Sequence, residues 1–84
     1  MQVEYSKQAK KYLQKLDKSN REKIEKAIED LKDSKGDIIK MEHLGIFRLK
    51  LPPFRIGFDY DRKTKTIEII LIRPRGDFYK HLRG

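Results

Sequence analysis

The residues of this sequence best suited to chemistry are Arg48, Lys50, Arg55, Arg73, Arg75 and Tyr79. Guanidinium and ammonium groups can hold a phosphate and neutralise the charge that builds on a five-coordinate phosphorus, in place of a metal. Arginine stays protonated, so protons must be moved by Lys50, Tyr79 or His81, and flanking arginines lower a tyrosine or lysine pKa toward a useful range. An aromatic ring can also stack on a splayed base. The set points to metal-free RNA cleavage by attack of the 2′-hydroxyl on the adjacent phosphate, or to RNA binding without chemistry. Other chemistries lack their residues. With no cysteine, disulfides, zinc–thiolate sites and thiol nucleophiles are excluded. Two histidines, His43 and His81, are too few for a histidine-only zinc site, and His43 reads as structural, in the loop before the strands. There is no phosphate-binding G-x-x-x-x-G-K-[ST] loop, no acidic two-metal cluster and no carboxylate pair aimed at one cleft. No metal and no cofactor is expected.

The charge distribution supports a polyanionic partner. The 84 residues carry a net charge of +8. Residues 43–84 hold 10 basic against 4 acidic residues, and arginine outnumbers lysine there. A solvated lysine-rich surface explains part of this bias, but the concentration of arginine in one half favours a phosphate-binding face. A small, strongly basic domain also gains stability from an acidic partner through mass action. The segment MQVEYSKQAKKYLQKL has no apolar run, and no stretch approaches a membrane span, so a soluble cytoplasmic protein is expected.

The elements that must position these residues follow from periodicity. QVEY (2–5) reads as a short strand, and Ser6 as the N-cap of a helix with Ala9, Tyr12 or Leu13, and Leu16 on one stripe. After a break at Asp17-Lys18, Ser19 to Glu22 fits a capping box ahead of a second helix, whose stripe is Ile24, Ala27, Ile28 and Leu31. Gly36 is expected to cap its C-terminus. From Ile46 the period becomes two: Phe47, Leu49 and Leu51, then Phe54, Ile56 and Phe58, alternate with Arg48, Lys50 and Arg55. The intervening Pro52-Pro53 fits a two-residue primed turn poorly, which predicts a wider or irregular connection. Thr66 to Ile72 reads as a buried central strand, and Asp77 to Leu82 as a final helical turn. The order β-α-α-β-β-β makes an α+β domain, with a helical hairpin packed on one face of a mainly antiparallel sheet. The apolar strand residues must face the hairpin, which drives Arg48, Lys50 and Arg55 onto the opposite face, with Lys50 and Arg55 close across a strand pair. Arg73 and Arg75 return to the same region, and Tyr79 follows within a turn.

The segment FRLKLPPFRIGFDYD, followed by IEIILIRPRGDFYK, resembles the RelE/ParE toxins of bacterial and archaeal toxin–antitoxin pairs. The matching motifs are Arg48-Leu49-Lys50-Leu51, then Phe54-Arg55-Ile56-Gly57-Phe58, then Arg73 through Tyr79, with Glu42-His43-Leu44-Gly45 ahead of them. Phe54 stands where tyrosine is commoner, Pro74 where histidine is usual, and Pro52-Pro53 where the turn is more flexible. The resemblance covers nearly the whole chain and implies one toxin domain over residues 1–84. On the RelE branch it implies a ribosome-dependent mRNA endonuclease that inhibits translation. Lys50, Arg55, Arg75 and Tyr79 would then be catalytic, and Arg48, Arg73, Lys80 and His81 would bind RNA. On the ParE branch it implies a DNA gyrase inhibitor without catalysis. The implied partners are a cognate acidic antitoxin and, on the first branch, the ribosome and mRNA. A non-catalytic RNA- or ribosome-binding domain is the third reading.

Overall fold

The computed structural model describes the backbone of residues 1–83 and the side chains of residues 1–80. The elements are β1 (Gln2–Tyr5), α1 (Lys7–Lys15), α2 (Lys18–Leu31), β2 (Asp37–Met41), β3 (Ile46–Leu51), β4 (Phe54–Asp61), β5 (Thr66–Pro74) and α3 (Arg75–Arg83). The five strands form one sheet in the order β1-β5-β4-β3-β2, with β1 parallel to β5 and every other pair antiparallel. The α+β class and the helical hairpin agree with the sequence reading.

One face of the sheet is sealed by α1 and α2. Ala9, Ile24, Ile28 and Leu31 from the hairpin meet Leu49, Phe54, Ile56, Phe58, Ile67, Ile69 and Ile72, and Phe47 and Leu51 pack at the margin. The alternation in β3 and β4 is therefore honoured residue by residue. In β5 it is interrupted. Pairing steps from Gly57↔Leu71 to Phe58↔Ile69, so Ile70 is an extra residue, a β-bulge. The bulge lets Ile69 and Ile72 both face the hairpin while Leu71 faces the other side.

Ser6 secures that bulge. Its hydroxyl accepts from the Ala9 amide at 3.1 Å, as an N-cap should, and donates to the Ile70 carbonyl at 2.6 Å. Its own amide donates to the Ile69 carbonyl at 2.8 Å. One side chain thus caps α1 and satisfies the carbonyl that the bulge removes from the ladder. Ser6→Ala is expected to lower stability by about 1–3 kcal/mol, read as a lower urea midpoint with an unchanged slope.

Several local expectations are corrected. The N-cap of α2 is Asp17, not Ser19: its carboxylate accepts from the Asn20 amide at 3.3 Å and from the Asn20 side chain at 2.8 Å. Those hydrogen bonds hold the Asp17 carboxyl below its usual pKa. Gly36 does not cap α2. The left-handed residue after the helix is Ser34 (φ 57°), and Gly36 (φ 130°) lies where a Cβ would come within 2.6 Å of Leu49 Cδ1. The Pro52-Pro53 connection is tight rather than wide: Leu51 pairs directly with Phe54, so the two prolines alone join β3 to β4, with a cis peptide bond between them. β2 was not expected, since Asp37-Ile38-Ile39-Lys40-Met41 has no clean alternation; it pairs with β3 through a turn closed by Gly45 (φ 69°). The last element is a helix from Arg75 to Arg83, not a single turn from Asp77.

Candidate active site

The face opposite the hairpin is laid out by the register. One cross-strand row reads Asp37↔Lys50↔Arg55↔Arg73, and the next reads Ile39↔Arg48↔Gly57↔Leu71. Lys50 and Arg55 are direct partners, as the alternation required. Like charges directly opposite destabilise a strand pair, and Arg73 on the far side of Arg55 extends the row.

This face is not open throughout. Helix α3 packs against β4 and β5 and places Phe78, fully buried, over Gly57. Arg55 is consequently buried, with 5% of its surface exposed, although it points away from the hairpin. Its Nη1 makes a long 3.4 Å contact to the Phe54 carbonyl, and its Nε has no hydrogen-bond partner. The Arg48 Nε is likewise buried without a partner. Among the described residues Arg55 forms no ion pair; Lys18–Glu22 and Lys32–Glu29 pair on the helix surface. A buried guanidinium with unmatched N–H groups is costly, and an anion seated on it would lift that cost.

Tyr79 stands over the two arginines. Its hydroxyl accepts from Arg48 Nη1 at 2.9 Å, and its ring meets Phe78 edge-on at 5.2 Å. Partial burial pushes the phenol pKa up. Hydrogen bonds from Arg48 and Arg55, with their positive charges, outweigh that and hold it below the ordinary tyrosine value. The phenolate therefore forms more readily beside Arg48 and Arg55 than in an ordinary tyrosine.

The other sequence-predicted residues divide. Lys50 is exposed beside Arg55. Arg75 is exposed at the first position of α3, its amide bonded to the Pro53 carbonyl at 3.1 Å, and Lys80 is exposed on the same helix. Arg73 is turned away: its guanidinium lies 5.0 Å over the Tyr12 ring of α1, and Nη1 donates to the Ile72 carbonyl at 3.2 Å. The turn occurs where β5, beyond its pairing with β1, is an edge. The His81 side chain lies outside the described residues. Sequence reasoning missed Gly57 and Phe78. A glycine inside an alternating strand signals close approach of another group, and Phe78 is what approaches.

A family model described as the ParE toxin of type II toxin–antitoxin system, parDE, matches residues 3–79. The chain belongs to this family of toxins. Solved structures agree with the assignment. The archaeal RelE–RelB complex from Pyrococcus horikoshii OT3 contains a chain of 28% identity, with a TM-score of 0.73 over 89% of this toxin and 94% of that chain. The intact Escherichia coli RelBE toxin–antitoxin complex gives 16% identity and a TM-score of 0.68, covering 87% of the toxin and 94% of that chain. The RelBE2 complex from Mycobacterium tuberculosis gives 18% and 0.63, covering 88% and 96%. The last two speak for the fold alone. No curated protein matches the toxin in sequence. Among its described residues no helix is long and apolar enough to cross a membrane.

Proposed function

We propose that this toxin is a ribosome-dependent mRNA endonuclease acting as a single domain over residues 1–84. The observation that carries the reading is the Tyr79 hydroxyl, held at 2.9 Å by Arg48 above a buried Arg55 with an unmatched N–H. In this reading the Tyr79 phenolate takes the proton of an RNA 2′-hydroxyl. The 2′-oxygen bonds to the adjacent phosphorus, the bond to the 5′-oxygen breaks, and that oxygen leaves with a proton from Lys50 or water. The products are a 2′,3′-cyclic phosphate and a 5′-hydroxyl. Arg55 and Arg48 face the charge that grows on the phosphoryl oxygens, and Arg75 and Lys80 bind the flanking strand.

The row Lys7, Lys11 and Lys15 on α1 favours an RNA-rich surrounding. These lysines are exposed, repeat at helical spacing, and have no acidic residue within their helix to offset them. A cognate acidic antitoxin fits the same charge. Its apolar side chains have a ready seat in a groove of about 630 Å³ lined by Leu31, Ile38, Phe47, Phe58, Tyr60 and Ile67. The similar solved chains come from toxin–antitoxin complexes.

The family description favours a second reading, inhibition of DNA gyrase without catalysis. One experiment separates the two. Antitoxin-free toxin is added to programmed ribosomes with an empty A site, and mRNA 5′ ends are mapped beside a gyrase supercoiling assay. Cuts in codon register, carrying 5′-hydroxyls and absent from free RNA, are the expected result. Intact mRNA with blocked supercoiling would transfer the function to gyrase.

A further inference from the structure

Gly57 is the cross-strand partner of Arg48 and lies two residues after Arg55 on the same face of β4. A Cβ at this position would stand 3.2 Å from Phe78 Cζ, 3.3 Å from Phe78 Cε1 and 3.4 Å from Ile46 Cδ1. The Phe78 ring therefore rests in a socket over the bare backbone of residue 57, closer than a side chain there would ordinarily let it come. Phe78 is fully buried, with 0% of its surface exposed. A methyl at 57 requires the ring to give by a few tenths of an ångström.

Tyr79 follows Phe78 directly, and the two rings meet at 90°. The bond from Arg48 to the Tyr79 hydroxyl spans 2.9 Å, and hydrogen bonds fade within a few tenths of an ångström beyond about 3.2 Å. The margin of the contact is thus as small as the displacement a methyl group would impose. We infer that Gly57 and Phe78 are positioning residues, the depth of the Phe78 ring in the Gly57 socket setting the Tyr79 hydroxyl on Arg48. The functional weight of this device rests on the proposed role of Tyr79; the socket itself does not.

The test reads Tyr79 directly. The charged groups acting on its hydroxyl are Arg48 from β3 and Arg55 from β4, and their grip lowers its pKa. Phenolate absorbance is followed against pH in wild type, Gly57→Ala, Phe78→Leu and the double variant, each corrected by the same background carrying Tyr79→Phe. Both single variants should move the Tyr79 titration up toward that of a free tyrosine. On ribosomes, they should lower cleavage about 10–100-fold. The double variant, with the added methyl set against a smaller Phe78 replacement, should titrate nearer to wild type than either single one. A folded Gly57→Ala that titrates as wild type, or single effects that simply add, would overturn the inference. If Gly57→Ala does not fold, the decision falls to the remaining pair. Adding the methyl to Phe78→Leu must bring the Tyr79 titration back down, and no change there is equally fatal. Failure of the wild type to cleave mRNA would sink the endonuclease reading and leave these titrations standing.

Discussion

Arg55→Met is expected to abolish most cleavage while leaving the toxin as stable as before, or more so. Arg55 is 95% buried, its Nε has no partner, and no carboxylate balances it among the described residues. Lys50 is its direct cross-strand partner on β3. Each of these features opposes folding: the ion is desolvated, unpaired and beside like charge. Methionine keeps most of the stem that packs beneath α3 and removes the charge. Replacing a buried charge by an apolar side chain of similar length is often neutral or stabilising. In the proposed reaction the same guanidinium faces the phosphorane. Its loss should lower kcat on ribosomes by roughly 10²–10³, about 2.7–4 kcal/mol of transition-state stabilisation. The check is paired: single-turnover cleavage, and a urea melt on the same preparation. Full cleavage would remove Arg55 from the mechanism. A large fall in stability would show that Arg55 is a structural ion whose partner is yet to be found.

Opposed signs for stability and activity are the mark of a site that folding alone does not favour. The hairpin face of the sheet has the reverse character: its residues were readable from period two and from i, i+3, i+4 spacing, because burial enforces the pattern. That is why Phe47, Leu49, Leu51, Phe54, Ile56 and Phe58 stand where the sequence reading places them, and why Lys50 falls opposite Arg55. Where several local solutions cost about the same, the sequence was less decisive. Asp17 and Ser19 are both good N-caps, and the choice went to Asp17 because Asn20 supplies a second hydrogen bond. Ile38 and Ile39, adjacent in β2, break the alternation because one meets the core and the other is 45% exposed on the outer face.

The site was legible in its charges and not in its geometry. Helix α3 starts at Arg75 and runs through Gly76, with Asp77 in its first turn and Phe78 packed over Gly57 against the sheet. Without that helix Arg55 would be a surface residue and Tyr79 an ordinary phenol. Arg73 fits the basic row by register and leaves it because Tyr12 offers an aromatic face from the other side of the sheet. No spacing rule joins a tyrosine of the first helix to an arginine at the end of the last strand. The bulge at Ile70 is of the same kind: it becomes visible only once Ser6 is seen to complete it.

Tyr79→Phe is expected to lower cleavage by about 10²–10⁴ without disturbing the fold. Phenylalanine keeps the edge-on contact with Phe78 and loses only the hydroxyl that accepts from Arg48 at 2.9 Å. Tyr79 is 36% exposed, so stability should move by less than about 1 kcal/mol. The pH profile is the sharper measurement. As a base, Tyr79 acts in its phenolate form, so the rate should climb with pH and level off at a pKa below that of free tyrosine. Burial raises that pKa, whereas the Arg48 and Arg55 hydrogen bonds and charges lower it. Removing one lowering group must therefore move the limb upward, and Arg48→Met should shift it to higher pH while slowing the reaction at neutrality. In Tyr79→Phe the limb should vanish. A Tyr79→Phe protein that is slow but keeps the wild-type limb would assign the titrating base to another group, with Lys50 the first to examine. A protein that keeps both rate and limb would leave Arg48, Arg55 and Lys50 as a phosphate-binding patch, and the toxin as a binder of nucleic acid without chemistry of its own.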